Sequence, residues 1–363
     1  MILVDKVDSC ALKSLSTQIV AKAKQITKPN CHEAAAKVIQ QILQARMKRM
    51  CALRDQALDW SDPEGVHRMR VASRRLRSAL SDFNPYLRKG SIPLGRLKAI
   101  AKSLGAVRDE DVAIAALDEI RSKANKKVAD GIEAIAEERH RQRDQARTVL
   151  ERAISSSTIA ELRDDFRDRL NAATKFPDSA NEKGTGQILT IGEVGAKVIG
   201  NRLEQLIKAS DSIYRPLKTK QLHKLRILTK RLRYAIELFA SCWGLEFKKS
   251  AEEIARFQTS LGELHDCDVW IANLGSRLKK EGGSEKTALH DEAVVWLLNH
   301  FNDERTKHYR DSLTRWHKWA RQGFLDGLKA QLNTDFTLTL PESGSVSLNL
   351  KPKASPSSDP QSA

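Results

Sequence analysis

The chain has 363 residues, of which 40% are hydrophobic, and carries a formal net charge of +16 at pH 7. The hydrophobic content argues against a wholly disordered chain. The low share of aromatic residues, 5%, favours helices over sheets. The charge predicts a polyanionic partner, whether nucleic acid, an acidic membrane surface or polyphosphate, without choosing among them.

The five cysteines are scattered and include no CxxC pair: Cys10, Cys31, Cys51, Cys242 and Cys267. We therefore expect neither a disulfide scaffold nor a zinc knuckle, and a reducing cytosol as the compartment. Since no apolar run of 18 residues occurs, we expect a cytoplasmic protein without a membrane partner.

In the first half, the pattern predicts one long helix over residues 34–58, followed by "SDPEG". There Ser61 or Asp62 can cap a basic helix, and Pro63 suits its first turn. This basic helix is predicted to end near Phe83, because the proline of "NPY" disfavours continuation.

Next, "LGAVRD" predicts a helix end at Gly105 and a new helix from Asp109. A long charged helix is predicted from about 130 to 153. Residues 174–187 are rich in turn formers and are the expected connector between two halves.

The same order then recurs, with a helix near 188–210 and a second basic helix from about Thr219. His67 and His223 are 156 residues apart, while Gly105 and Gly262 are 157 apart. Two motifs with nearly one offset predict an internal duplication.

The predicted organisation is therefore two helical repeats with three flanking or linking segments. The repeats span 30–173 and 188–336, and the other segments are an N-terminal extension, 1–29, the connector, 174–187, and a Ser/Pro-rich tail expected to be disordered, 337–363.

The two basic segments, "VHRMRVASRRLR" (66–77) and "LHKLRILTKRLR" (222–233), have the same residue class at every position. At about 100° per residue, each places a cationic stripe opposite an apolar stripe. The cationic stripes are His67, Arg70, Arg74 and Arg77, and His223, Arg226, Lys230 and Arg233. The apolar stripes are Met69, Leu76, Leu80 and Phe83, and Leu225, Leu232, Ile236 and Phe239.

Like charges three and four residues apart destabilise a helix, and no acidic residue relieves them here. Because both copies have this destabilising repulsion, we expect an anion that relieves it on binding. A solvated charged face is the plainer alternative. Arginine suits bidentate contact with phosphate oxygens, and cations rising by about 4.5 to 6 Å can follow a chain of phosphates.

We expect His67 and His223 to donate to phosphate oxygens when protonated, the alternative being helix-face residues bonded to backbone. The "RDEDV" and "HDCDV" segments are expected to be structural, either capping helices or supporting the basic rows. Their residues are Arg108, Asp109, Asp111, His265, Asp266 and Asp268. A metal site with His265 is the disfavoured alternative, so we expect no metal and no cofactor.

These motifs resemble the CHAD family, the conserved-histidine α-helical domain, over about residues 30–330. The match is "HRMRVASRRLR" with "LGAVRDEDV", repeated as "HKLRILTKRLR" with "LGELHDCDV". The resemblance implies an all-α fold of two pseudo-twofold-related helical bundles enclosing a basic central channel. It also implies polyphosphate binding, and some family members are found on polyphosphate granules.

The resemblance assigns polyphosphate binding to the motif positions His67, Arg70, Arg74, Arg75, Arg77, His223, Arg226, Lys230, Arg231 and Arg233. Two departures stand out, because Lys230 replaces an arginine and His265 stands where the first copy has Arg108. Secondary contacts are expected from Arg46, Arg202, Lys98, Lys102, Arg139, Arg143 and Arg305, with surface charge as the alternative for the last three.

We therefore expect non-catalytic binding of inorganic polyphosphate, at granules and with proteins of polyphosphate metabolism as further partners. A helical RNA or single-stranded DNA binder is the alternative. The basic rows, however, hold no aromatic residue to stack on bases and no Asn or Gln to read them. A metal-dependent phosphohydrolase is disfavoured, because no recognised phosphohydrolase motif occurs.

Overall fold

The structure, a computed structural model, describes residues 31–88, 92, 94–174, 189–279 and 285–333, with side chains from 291 onward in the last segment. Within these ranges the regular structure is helical, apart from one antiparallel bridge between Ala34 and Thr190. The predicted all-α class is confirmed. The predicted extension and tail, and nearly all of the connector, lie outside the described residues.

The helices of the first half follow the predicted order. They are α1 (Ala35–Cys51), α2 (Arg54–Ala57), α3 (Pro63–Phe83), α4 (Gly95–Arg121), α5 (Lys126–Ala153) and α6 (Ser156–Thr174). Those of the second half are α7 (Ile191–Ala209), α8 (Thr219–Trp243), α9 (Leu245–Leu278), α10 (Glu285–Gln322) and α11 (Phe324–Gln331). The basic helices are α3 and α8.

The N-terminus of α3 is built as predicted. Asp62 accepts a hydrogen bond from the backbone N–H of Glu64 at 3.0 Å, and Pro63 is the first helical residue. A Cβ atom at Gly65 would collide with the carbonyl oxygen of Gln56. Glycine therefore allows the first turn of α3 to pack directly against α2.

Two predicted boundaries are wrong. The helix expected over 34–58 ends at Cys51, because the chain turns there and places Leu53, 1% exposed, in the core. The helix expected to end at Gly105 runs on as α4, and α9 passes through Gly262 in the same way. Burial of Ile100, Leu104 and Val107 along one face of α4 outweighs the cost of an interior glycine, about 1 kcal/mol.

The apolar residues form two cores. The larger contains the buried faces of α1, α3, α7 and α8 and extends to Trp319 in α10. The smaller joins the distal parts of α4 and α5 to those of α9 and α10, around Leu117, Ile132, Leu274 and Leu297. The basic helices are thus fixed by the larger core.

Two sets of contacts are centred on residue pairs that are 156 positions apart, Ala34 with Thr190 and Phe83 with Phe239. The N–H of Ala35 donates to the carbonyl of Leu189 at 2.9 Å, and that of Ile191 donates to the carbonyl of Glu33 at 3.0 Å. The rings of Phe83 and Phe239 meet edge to face at 6.0 Å. Equivalent positions meet in this way around a twofold axis, so these contacts support the duplication, which stays a prediction.

Cys31 and Cys242 form a disulfide that ties the segment before α1 to the end of α8. The expectation that the cysteines form no disulfide framework is therefore wrong for this pair. The two residues are 211 positions apart, and only the packing of the two halves brings their Cα atoms to 5.8 Å.

Across the described part of the chain, the helices are too short or too polar to span a lipid bilayer.

Candidate anion-binding site

The apolar stripes of both basic helices lie in the core as predicted. Met69, Leu76 and Phe83 are fully buried in α3, as are Leu225, Leu232 and Phe239 in α8. This burial fixes the rotation of each helix about its axis, so the opposite, cationic stripes are held away from the core.

The two cationic stripes lie close to each other. The ammonium group of Lys230 in α8 is within electrostatic range of three arginines of α3, which are Arg70, Arg74 and Arg77. Arg74 is also close to Arg233, since both guanidinium groups lie against the ring of Tyr234. We call the following six residues the cation cluster: Arg70, Arg74, Arg77, Arg226, Lys230 and Arg233.

Among the described residues, carboxylates form ion pairs only with the two end members of the cation cluster, and Asp266 lies within electrostatic range of Arg226 and Arg70. Arg70 pairs with Asp109 at 3.0 Å, and Arg233 pairs with Glu237 at 3.5 Å. The other four cations make no ion pair with any residue that the structure describes. In addition, the Nε atoms of Arg74, Arg77 and Arg233 are buried without a hydrogen-bond partner among the described residues. The middle of the cluster therefore has a large excess of positive charge.

The pKa values reflect this crowding. Burial, followed by repulsion from Arg226, Arg74, Arg70 and Arg77, lowers the pKa of Lys230 to about 8. Burial is also the largest cause that lowers the pKa of Arg74 and of Arg77. An anion bound within the cluster would reverse both effects, because it favours the charged forms.

The motif histidines have different neighbours in the two halves. Burial, then Arg108, lowers the pKa of His67. Nδ1 of His223 lies 3.2 Å from Nδ1 of His265, with ring centroids 4.1 Å apart. Burial, then His223, lowers the pKa of His265 to about 4, and burial lowers that of His223. These imidazoles are therefore predominantly neutral at pH 7.

The aspartates of the "RDEDV" and "HDCDV" segments lie inside the continuous helices α4 and α9, so the suggestion that they cap helices is wrong. Asp109 supports the cation cluster through Arg70, whereas Asp268 binds Nε of Arg305 at 2.7 Å. Arg108 pairs with Glu64 at 3.5 Å. In the described part of the chain, no group of three or more His, Cys, Asp or Glu side chains is placed to hold a metal.

Most of the residues expected to make secondary contacts with polyphosphate are instead bound to other groups of the protein. Arg202 donates to Asp82 at 2.6 Å, and Arg46 donates to the carbonyl of Arg75 at 2.6 Å. Arg139 binds Glu110 and lies against Trp270. Similarly, Arg305 also donates to the carbonyl of Pro216 at 2.6 Å, and Arg143 contacts the adjacent Asp144.

The remaining predicted cations are at the margins. Arg75 pairs with Glu237 at 3.7 Å, and Arg231 is exposed. Lys98 and Lys102 are exposed on α4, where no described contact joins them to the cation cluster. The structure therefore places the central cations of the two rows near one another, whereas most of the secondary residues pair with other groups or lie apart from them.

A separate cavity of about 510 Å³ lies between the start of α4 and α6. Its arginines are paired, Arg96 with Glu161 at 3.7 Å and Arg169 with Asp165 at 2.6 Å. Because its charges are balanced, it lacks the excess of positive charge that marks the cation cluster.

The sequence analysis did not include Tyr234 among the candidate site residues. Its side chain is only 5% exposed, and the guanidinium groups of Arg74 and Arg233 lie against its ring. A signal was available, because Tyr234 follows Lys230 by four residues and so continues the cationic stripe of α8.

The comparisons with known proteins agree with this architecture. The family model for the CHAD domain matches residues 41–275. The crystal structure of the CHAD domain from the plant Ricinus communis is similar, with a TM-score of 0.62 at 20% identity, covering 87% of this chain and 96% of that one. PptA from Streptomyces chartreusis is similar at a TM-score of 0.58 and 14% identity, covering 78% of this chain and 100% of that one. No curated protein matches. The chain belongs to the CHAD domain family.

Proposed function

We propose that this protein binds inorganic polyphosphate in the cation cluster between α3 and α8. The observation that carries the proposal is the set of four neighbouring cations without a carboxylate partner among the described residues: Arg74, Arg77, Arg226 and Lys230. Partly buried like charges are costly when unpaired, so a polyanion that supplies the missing negative charge gains affinity from relieving that cost.

The spacing of the cations supports a linear rather than a compact anion. Arg70, Arg74 and Arg77 rise along α3 in steps of about 6 and 4.5 Å. Lys230 and Arg226 flank the same path from α8. A chain of linked phosphates can present several charges along this path, and each contact would release condensed counterions.

The proposed activity is binding without catalysis. The nucleic-acid alternative gains little support from the aromatic residue now found at the site. Two guanidinium groups lie against the ring of Tyr234, at 4.9 and 5.6 Å, and its side chain is nearly fully buried. The ring therefore offers little free surface for a base to stack on.

We further propose that this binding places the protein on polyphosphate granules in the cytoplasm, together with enzymes of polyphosphate metabolism. Fluorescent tagging tests this idea directly, because a variant that has lost polyphosphate binding should leave the granules. If that variant stays on the granules, a protein partner rather than polyphosphate recruits it.

Calorimetry with polyphosphates of defined length, beside single-stranded RNA at equal phosphate concentration and at two salt concentrations, tests the binding proposal. We expect tight, salt-sensitive binding of polyphosphate and weak competition by RNA. Equal competition by RNA would favour a nucleic-acid binder. Release of phosphate that depends on added metal would instead indicate a hydrolase.

A further inference from the structure

Tyr234 is buried on the cationic side of α8, in contact with charged groups. At about 100° per residue, its Cα lies within about 20° of His223 and about 40° of Lys230 around the axis of α8. It is therefore on the cationic side of the helix, opposite the apolar stripe. Its side chain is nevertheless only 5% exposed.

Those charged groups include one arginine from each basic helix. The guanidinium carbon of Arg233 lies 4.9 Å from the centre of the Tyr234 ring, and that of Arg74 lies 5.6 Å away. An aromatic ring attracts cations, so it offsets part of the repulsion between the two guanidinium groups. Tyr234 thus links α3 and α8 at the point where their like charges meet.

The Tyr234 hydroxyl is a buried polar group without a hydrogen-bond partner among the described residues. The Nε atoms of Arg74 and Arg233 are buried and unpaired in the same sense. Buried polar groups in proteins are nearly always paired, so three such groups around one ring require an explanation.

We propose that Tyr234 both binds and positions the ligand: its ring holds Arg74 and Arg233 toward a phosphate, and its hydroxyl, which is buried in the free protein, donates to an oxygen of the same phosphate once these arginines turn toward the anion. This inference rests on the proposed polyphosphate binding. The equivalent position in the first half is Ser78, which is too short for this role. Only the second half of the chain would therefore supply this contact to phosphate.

The substitution Tyr234→Phe separates the hydroxyl from the ring. In the free protein it removes an unpaired buried hydroxyl, so the melting temperature should stay the same or rise. Affinity for polyphosphate should fall about tenfold, because a hydrogen bond to a charged oxygen is lost. The salt dependence of binding should keep its slope, since no cation has been removed.

The substitution Tyr234→Leu removes the ring as well. Arg74 and Arg233 then lose their shared contact, so affinity should fall further and the log–log salt dependence should become less steep. A change in slope reports on cations that no longer reach phosphate, which a loss of packing alone would not produce.

Tyr309→Phe is the matched control. The Tyr309 hydroxyl donates to the carbonyl of Ile213 at 2.8 Å, and no described contact joins Tyr309 to the cation cluster. Its loss should lower the melting temperature while polyphosphate affinity stays at the wild-type value.

Melting curves and calorimetry with a polyphosphate of one defined length, on wild type and the three variants, test the inference. The opposite changes in stability and affinity expected for Tyr234→Phe would support it. Wild-type affinity in Tyr234→Phe, beside tight wild-type binding, would overturn this inference and leave the proposed function intact. Absence of binding by the wild type would overturn both.

Discussion

Lys230 in α8 lies within electrostatic range of Arg74 in α3, a like charge, and neither has an ion-pair partner among the described residues. Each sits on a helix whose opposite face is buried in the larger core. The hydrophobic effect therefore holds the two cations together against their repulsion, and this stored repulsion underlies the expected affinity for a polyanion.

Charge reversal at one cation of each helix should abolish polyphosphate binding. The double substitution Arg70→Glu with Arg226→Glu places carboxylates where the anion is expected to lie, and affinity should fall at least a hundredfold. Calorimetry measures the loss, and circular dichroism checks that helicity is kept. The matched control is Lys318→Glu with Arg321→Glu on exposed positions of α10. If the control loses as much affinity, net charge rather than the cation cluster governs binding.

Affinity should rise with polyphosphate length until both cationic rows are occupied, because the rows act as linked sites. It should also fall steeply as salt increases, since phosphate contacts release counterions. Titration with a series of chain lengths at two salt concentrations measures both effects. A flat length dependence would mean that one row acts alone.

Binding should weaken as pH rises above about 8. In the free protein the pKa of Lys230 is about 8, and a bound anion raises it by favouring the ammonium form. Binding therefore takes up protons in this range, and affinity falls as pH increases through it. The variant Lys230→Arg keeps its charge, so its affinity should change less between pH 7 and 9. Equal pH dependence in both proteins would remove Lys230 from the site.

The histidines give a second pH effect, on the acid side. The pKa of His265 is about 4, and those of His67 and His223 are also lowered. Just below the ordinary value of about 6.5, the unfolded chain therefore binds more protons than the folded protein. The histidine contribution to stability is thus present at neutral pH and is lost as pH falls.

Bound polyphosphate should counter this loss, because it stabilises protonated histidines. Its affinity should therefore increase from pH 7 to pH 5. Melting curves with and without polyphosphate at both pH values measure the effect, and the double substitution His67→Gln with His223→Gln should reduce it. An unchanged affinity would assign the histidines to structural roles.

The disulfide predicts a redox dependence of stability. Replacing Cys31 and Cys242 by serine should lower the free energy of unfolding by about 2–5 kcal/mol, because the bond constrains a long loop in the unfolded chain. Thermal unfolding with and without a reducing agent measures this. Cys51→Ser is the control, since Cys51 carries no disulfide. Equal melting of wild type under both conditions would contradict the bond's role.

The sequence by itself determined the helical class, the two basic helices and their buried faces. These features follow from a period of 3.6 residues and from local signals such as Asp62 before Pro63, which act over a few residues. The residues at the centre of the cationic rows were identifiable for the same reason.

Only the tertiary structure decided which of those cations meet and which are neutralised. The Asp82 carboxylate binds Arg202, and Glu237 pairs with Arg75, through contacts that span helices. The disulfide, the His223–His265 contact and the burial of Tyr234 likewise depend on packing between distant segments. Periodicity sets which face of a helix is buried, but it does not specify which other helix packs beside the exposed face.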